Sequence, residues 1–116
     1  MTVTVYHNPS CGTARSVLEL VRNAGIEPEV IQYLKTPPTL AELEALVRQG
    51  PATAHDLLRT KEKLCAELGL DQPGVTDAAI LQAIAANPVL LNRPVVVSPK
   101  GVKACRPADT VLSLLP

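Results

Sequence analysis

The chain has 116 residues, 47% of them apolar and 19% charged, which is the composition of one globular domain and excludes a disordered chain. Eleven basic residues balance eleven acidic ones, so no bulk positive charge invites nucleic acid or an anionic membrane. There is no Trp and no Phe, and Tyr6 and Tyr33 are the only aromatic rings, which excludes a platform for stacking bases.

No apolar run approaches the roughly 20 residues that span a bilayer, and Met1-Thr2-Val3-Thr4-Val5 carries no basic secretory n-region. These features predict a cytoplasmic domain occupying 1–116. The three cysteines, Cys11, Cys65 and Cys105, form no CxxC and cannot all pair, so they are read as thiols, catalytic or buried.

Thr2 to Tyr6 alternates polar and β-favouring residues and predicts a strand. His7-Asn8-Pro9-Ser10 is loop chemistry, because Pro9 removes a donor and holds Asn8 extended. A helix follows from about Cys11 to Ala24, with Val17, Leu18, Leu20 and Val21 on its apolar face and Gly25 at its C-terminal cap. Glu29 to Tyr33 predicts a second strand. Strand, helix, strand over this length is a βαβ unit with a parallel pair and a right-handed crossover.

The middle, about 37–88, reads as helical. Thr39 and Glu42 have capping-box spacing ahead of Leu40, Leu43, Leu46 and Val47. Thr53 opens a short helix carrying Leu57 and Leu58, Lys61 to Leu68 continues in helical register, and Thr76-Asp77 starts a helix that Pro88 ends. Val95 to Val97, a Ser98-Pro99-Lys100-Gly101 turn and Val102 to Ala104 predict a hairpin, and Pro107 opens a closing helix through Leu115. The order βαβ, helical block, ββα predicts an α/β, thioredoxin-like mixed four-stranded sheet with a helical insertion.

Cys11 carries the clearest chemical signal. A cysteine is most often a small buried hydrophobe, but this one follows a strand and a proline loop and opens a helix, ahead of Gly12 and Thr13. Free backbone N–H groups and the helix dipole favour a thiolate there and make a ready anion site. A phosphatase-type loop would need Arg six residues on, where Val17 stands, and thioredoxin chemistry would need Cys at Ala14. Cys11 is therefore a lone nucleophile dependent on an external reductant.

Three arginines have unusual settings: Arg59 after Leu57-Leu58, Arg93 before Pro94 and an apolar strand, and Arg106 before Pro107 just after the hairpin. Any one alone is best read as solvated, yet two Arg-Pro pairs flanking one hairpin strengthen the joint case for a site. Each guanidinium offers a donor fork matched to a tetrahedral oxyanion. Arg15, Arg22 and Arg48 read as surface residues. His7 and His55 with scattered cysteines lack metal-ligand spacing, so no metal is expected.

The run His7-Asn8-Pro9-Ser10-Cys11-Gly12-Thr13-Ala14-Arg15 resembles the active-site segment of the glutaredoxin-dependent arsenate reductases. So do Leu57-Leu58-Arg59-Thr60, Pro88 to Pro94 and Cys105-Arg106-Pro107, in order along nearly the whole chain. The resemblance implies that Cys11 is the nucleophile and that Arg59, Arg93 and Arg106 bind the arsenic oxyanion. It implies that His7 tunes the thiol and that Asn8 and Ser10 belong to the adjoining loop. It also implies that Pro94, a cis-proline in thioredoxin-like folds, faces the nucleophile.

The implied reaction uses no bound cofactor. Cys11 attacks arsenate to give a thiol-arsenate ester, glutathione attacks that adduct, and glutaredoxin resolves the mixed disulfide as arsenite leaves. A monomer is expected. Cys105 reads as a strand-capping thiol and Cys65 as a helix-packing one. Two other readings compete: a glutathione-dependent thiol oxidoreductase of the same fold that never meets arsenate, and a Spx-like regulator binding RNA polymerase. The latter commonly carries a CxxC that Ala14 interrupts.

Overall fold

The computed structural model describes residues 2–116. Four strands form one sheet: β1 (Thr4–His7), β2 (Glu29–Gln32), β3 (Val95–Ser98) and β4 (Gly101–Ala104), in the order β2-β1-β3-β4. β1 runs parallel to β2 and antiparallel to β3, and β3 and β4 form an antiparallel hairpin. This is the mixed sheet the element order predicts. The helices are α1 (Gly12–Asn23), α2 (Leu40–Gln49), α3 (Ala54–Leu57), α4 (Lys63–Glu67) and α5 (Asp77–Ala86), with 3₁₀ turns at Pro88–Leu90 and Ala108–Leu114.

Strand alternation divides the core into two layers. Val3, Val5 and Val96 pack with Val17 and Val21 of α1 and with Val111, Leu114 and Leu115 at the C-terminus. Tyr6 and Val95 face the other way, into a larger cluster built from α2, α3 and α5 with Tyr33, Leu57, Ile80, Ile84 and Leu90. The helical insertion thus covers one face of the sheet while α1 and the C-terminal turn cover the other.

The insertion is fastened to the sheet at β4. Ala52 N–H donates to Val102 O at 3.0 Å and Val102 N–H to Gly50 O at 2.8 Å, a parallel bridge along the outer edge of β4. Gly101, with φ of 141°, permits this approach, because a Cβ there would lie 2.9 Å from Gly50 O and from Pro51 Cδ.

Several local expectations are corrected. The first strand is displaced toward its C-terminal end and includes His7, because pairing with Gln32 of β2 continues through that residue. Tyr33 lies just beyond β2. The run predicted as a helix over 61–68 contracts to α4, and the closing helix is 3₁₀. Thr110, Val111 and Ser113 are weak α formers, and Ser113 Oγ donates to Thr110 O at 3.0 Å, competing with helical geometry. The capping box at Thr39 is present, and Thr53 forms a second one with Asp56 as its acid.

Candidate active site

The site is built at the end of the sheet where β1 leaves and β3 enters. After His7 the chain turns tightly: Asn8 Oδ1 accepts from Ser10 N–H at 2.9 Å, and Asn8 O accepts from Cys11 N–H at 3.0 Å. This Asx turn aims the chain into α1 with Cys11 as its N-cap residue. Asn8 is buried and Ser10 exposed. Arg15 is exposed, as expected, and it also braces the loop, its Nη1 donating to Pro9 O at 3.1 Å.

Cys11 is 8% exposed. Burial pushes its thiol pKa up, but the N–H of Ala14, the guanidinium groups of Arg106 and Arg93, and the N–H of Thr13 more than reverse this, leaving the pKa below its ordinary value. Arg106 Nη1 lies 3.5 Å from Cys11 Sγ and also donates to Arg93 O at 3.0 Å. One guanidinium therefore ties the thiol to the start of β3. Cys65 and Cys105 are fully buried, and burial pushes both thiols up, Cys105 to about 12. Of the three thiols, only that of Cys11 is shifted toward the thiolate.

The β3 end is ordered from within. The Arg93–Pro94 peptide is cis, and Pro94 O accepts from Cys105 N–H at 2.9 Å. Asn92 Oδ1 accepts from Arg93 N–H at 3.0 Å, and Asn92 Nδ2 donates to Asp56 O at 3.0 Å. Arg59 arrives from the insertion by the same splice: Arg59 N–H donates to Leu90 O and Asn92 N–H to Leu57 O, both at 2.7 Å. Arg59 makes no hydrogen bond to the thiol. It lines, with Arg106 and Asn92, a concavity of about 160 Å³ and sits 3.7 Å from Glu62. Leu58, Thr60, Asn92 and Arg106 also border a wider polar cleft of about 440 Å³ that extends toward His55, Asp56 and Lys103.

His7 is buried at the end of β1. Burial first, then the charges of Arg15 and Arg22, push its imidazole pKa down, which favours the neutral ring. Gly12 and Thr13 form the first turn of α1 beside the sulfur. The structure thus brings Cys11, Arg93 and Arg106 together, adds Arg59 through the concavity it shares with Arg106, sets Pro94 next in the chain after Arg93, and leaves Ser10 exposed. Among the described residues no cluster of His, Cys, Asp or Glu could hold a metal ion, and no helix is long and apolar enough to cross a membrane. A lone thiolate at a helix N-terminus, with arginine forks around it, can attack a tetrahedral oxyanion while the cations offset charge repulsion.

The chain is similar to several known proteins. An arsenate reductase of Rhizobium meliloti (strain 1021) is 51% identical over 116 residues, covering 100% of this chain and 83% of the relative. An arsenate reductase of Escherichia coli (strain K12) is 45% identical over 114 residues, covering 98% and 81%. The solved structure of an arsenate reductase from Vibrio cholerae superposes with a TM-score of 0.90 at 40% identity, covering 99% of this chain and 98% of that one. The ArsC family model matches residues 6–114, and the chain belongs to the ArsC family.

Proposed function

We propose that this protein reduces arsenate to arsenite with glutathione and glutaredoxin as electron donors. The observation that carries this reading is the Arg106 guanidinium 3.5 Å from a Cys11 sulfur whose pKa is lowered. Cys11 is the nucleophile, Arg59, Arg93 and Arg106 bind the oxyanion, and His7, Asn8, Ser10, Gly12, Thr13 and Pro94 shape the loop and its surroundings. The thiolate attacks arsenic(V) and an arsenate oxygen leaves as water, giving a sulfur–arsenic ester. Glutathione then attacks this adduct, and the two electrons of the broken sulfur–arsenic bond pass to arsenic. Arsenite leaves, and Cys11 remains as a mixed disulfide with glutathione. Glutaredoxin attacks that disulfide and restores the thiol.

The cleft of about 440 Å³ beside Arg106 is within the size range of small-molecule sites and supports a route for the tripeptide. The lack of a partner cysteine at Ala14 agrees with an external thiol. The protein works as a monomeric single domain over 1–116 in the reducing cytoplasm. Arsenite formation measured with glutathione and glutaredoxin together, and with each omitted, tests the reading. Turnover is expected only with both, and not in Cys11→Ser. Thiol–disulfide exchange with glutathione in the absence of any arsenate turnover would replace this reading with that of a general thiol oxidoreductase.

A further inference from the structure

β4 is the last strand of the sheet, and its outer edge is only partly covered. Val102 directs its N–H to Gly50 O and its O to Ala52 N–H, both outward, whereas Cys105 N–H turns inward to Pro94 O. Strand alternation between these two residues sends Ala104 N–H outward. The bridge to the insertion has ended by then, because Thr53 caps α3 and the chain leaves β4. Ala104 O is taken by Arg106 N–H at 3.1 Å. Among the described residues, the N–H of Ala104 is thus the open half of this edge, and an open strand edge is a template for another extended chain.

That edge is one wall of the polar cleft of about 440 Å³, which Ala104, Lys103, Thr110 and Arg106 line together with His55 and Asp56 of α3. Arg106 joins the cleft to the reacting sulfur, since its Nη1 lies 3.5 Å from Cys11 Sγ. Lys103 Nζ is fixed at the wall by donating to Ser113 Oγ at 2.8 Å, and an ammonium keeps further protons for a ligand. From α3, Asp56 Oδ2 accepts from Thr53 N–H at 2.9 Å, which anchors a carboxylate on that side. The cleft therefore presents a main-chain donor, a cation and an anion around a path to Cys11. Glutathione has the matching groups: peptide carbonyls, a carboxylate at each end, an ammonium beside one of them, and the thiol between.

We propose that glutathione lies along the open edge of β4. One of its peptide carbonyls accepts from Ala104 N–H, its glycyl carboxylate meets Lys103, its γ-glutamyl ammonium meets Asp56, and its thiol turns to the Arg106 end of the cleft. Holding the thiol there makes its attack on the Cys11 adduct effectively intramolecular. The inference rests on the proposed use of glutathione and assigns that cosubstrate a subsite of its own, apart from the arginines that bind arsenate.

S-methylglutathione, which cannot react, is the probe, titrated into the 15N-labelled protein. It is expected to shift the Ala104 amide resonance, whereas S-methylcysteine, lacking both arms, should leave it in place. Lys103→Gln should weaken this binding about threefold to tenfold. The same variant should raise the glutathione KM by a similar factor with the arsenate KM within about twofold. Ala104→Pro, which removes the donor at a strand edge that tolerates proline, should do likewise, with Tm as the check on its folding. An unmoved Ala104 amide, an equal shift with S-methylcysteine, or unchanged binding in Lys103→Gln would overturn the proposal. The titration involves no arsenate: a chain that binds the probe at Ala104 but forms no arsenite would keep this subsite and lose the arsenate reading, and arsenite formation without the shift would do the reverse.

Discussion

Three cysteines of identical chemistry stand in three environments, and only the backbone and two arginines separate their fates. Cys65 and Cys105 lie in opposite core layers with thiols pushed up by burial. Cys11 is nearly as hidden, yet the N–H groups of α1 together with Arg106 and Arg93 lower its pKa. Its folded pKa therefore lies below its unfolded one. The thiolate interactions stabilise the fold above the unfolded thiol's pKa and fade as pH falls through the lowered value. Alkylation of the native protein followed against pH should modify Cys11 with a midpoint below that of a free cysteine, while Cys65 and Cys105 stay unmodified. Arg106→Ala should raise that midpoint and lower kcat/KM for arsenate by on the order of tenfold to a hundredfold, the loss of one charge-assisted hydrogen bond. Arg106→Lys should recover only part of this, since an ammonium offers no fork. An unchanged midpoint in Arg106→Ala would separate the 3.5 Å contact from the tuning of the thiol.

At the scale of elements, the site depends on a splice between segments far apart in sequence. The Leu58–Leu91 bridge sets Arg59 against Leu90, and the Asn92 side chain bonds both Asp56 O and the Arg93 N–H. Asn92→Ala removes both side-chain bonds and should cost about 1–2 kcal/mol of stability. Misplacing two arginines should reduce kcat/KM about tenfold or more. Denaturant midpoints and arsenate kinetics measured on the same variant check both, and full activity would show that the splice serves only the fold. What was legible in the sequence is local: the strand, proline loop and helix around Cys11, the Thr39 capping box, and the hairpin turn at Pro99. Arg93 and Arg106 could be singled out because each precedes a proline beside the hairpin. The bridging role of Asn92 lay 36 residues from its partner Asp56 and left no local pattern. Nor did the brace from Arg15, whose acceptor is a backbone carbonyl.

The whole molecule is organised by one four-stranded sheet with a core on each face. Tyr6 and Val95 serve the insertion layer, while their neighbours Val5 and Val96 serve the layer under α1. Neither layer can dissolve without exposing one face of the same short strands, and the bridge from Gly50–Ala52 to Val102 locks the insertion to β4. The radius of gyration, 13.5 Å, is close to the ~13 Å of one compact domain of this length. Unfolding should therefore be a single cooperative transition. The chain supplies a probe for each layer: the two tyrosines lie on the insertion side and Cys105 on the other. In a Cys11→Ser, Cys65→Ser background, tyrosine fluorescence and thiol labelling of Cys105 followed through urea should share one midpoint and one slope. If Cys105 becomes reactive at lower urea than the fluorescence changes, the α1 layer opens separately. The insertion would then be a unit of its own, and Arg59 would be joined to Cys11 by a contact that can break without unfolding the rest.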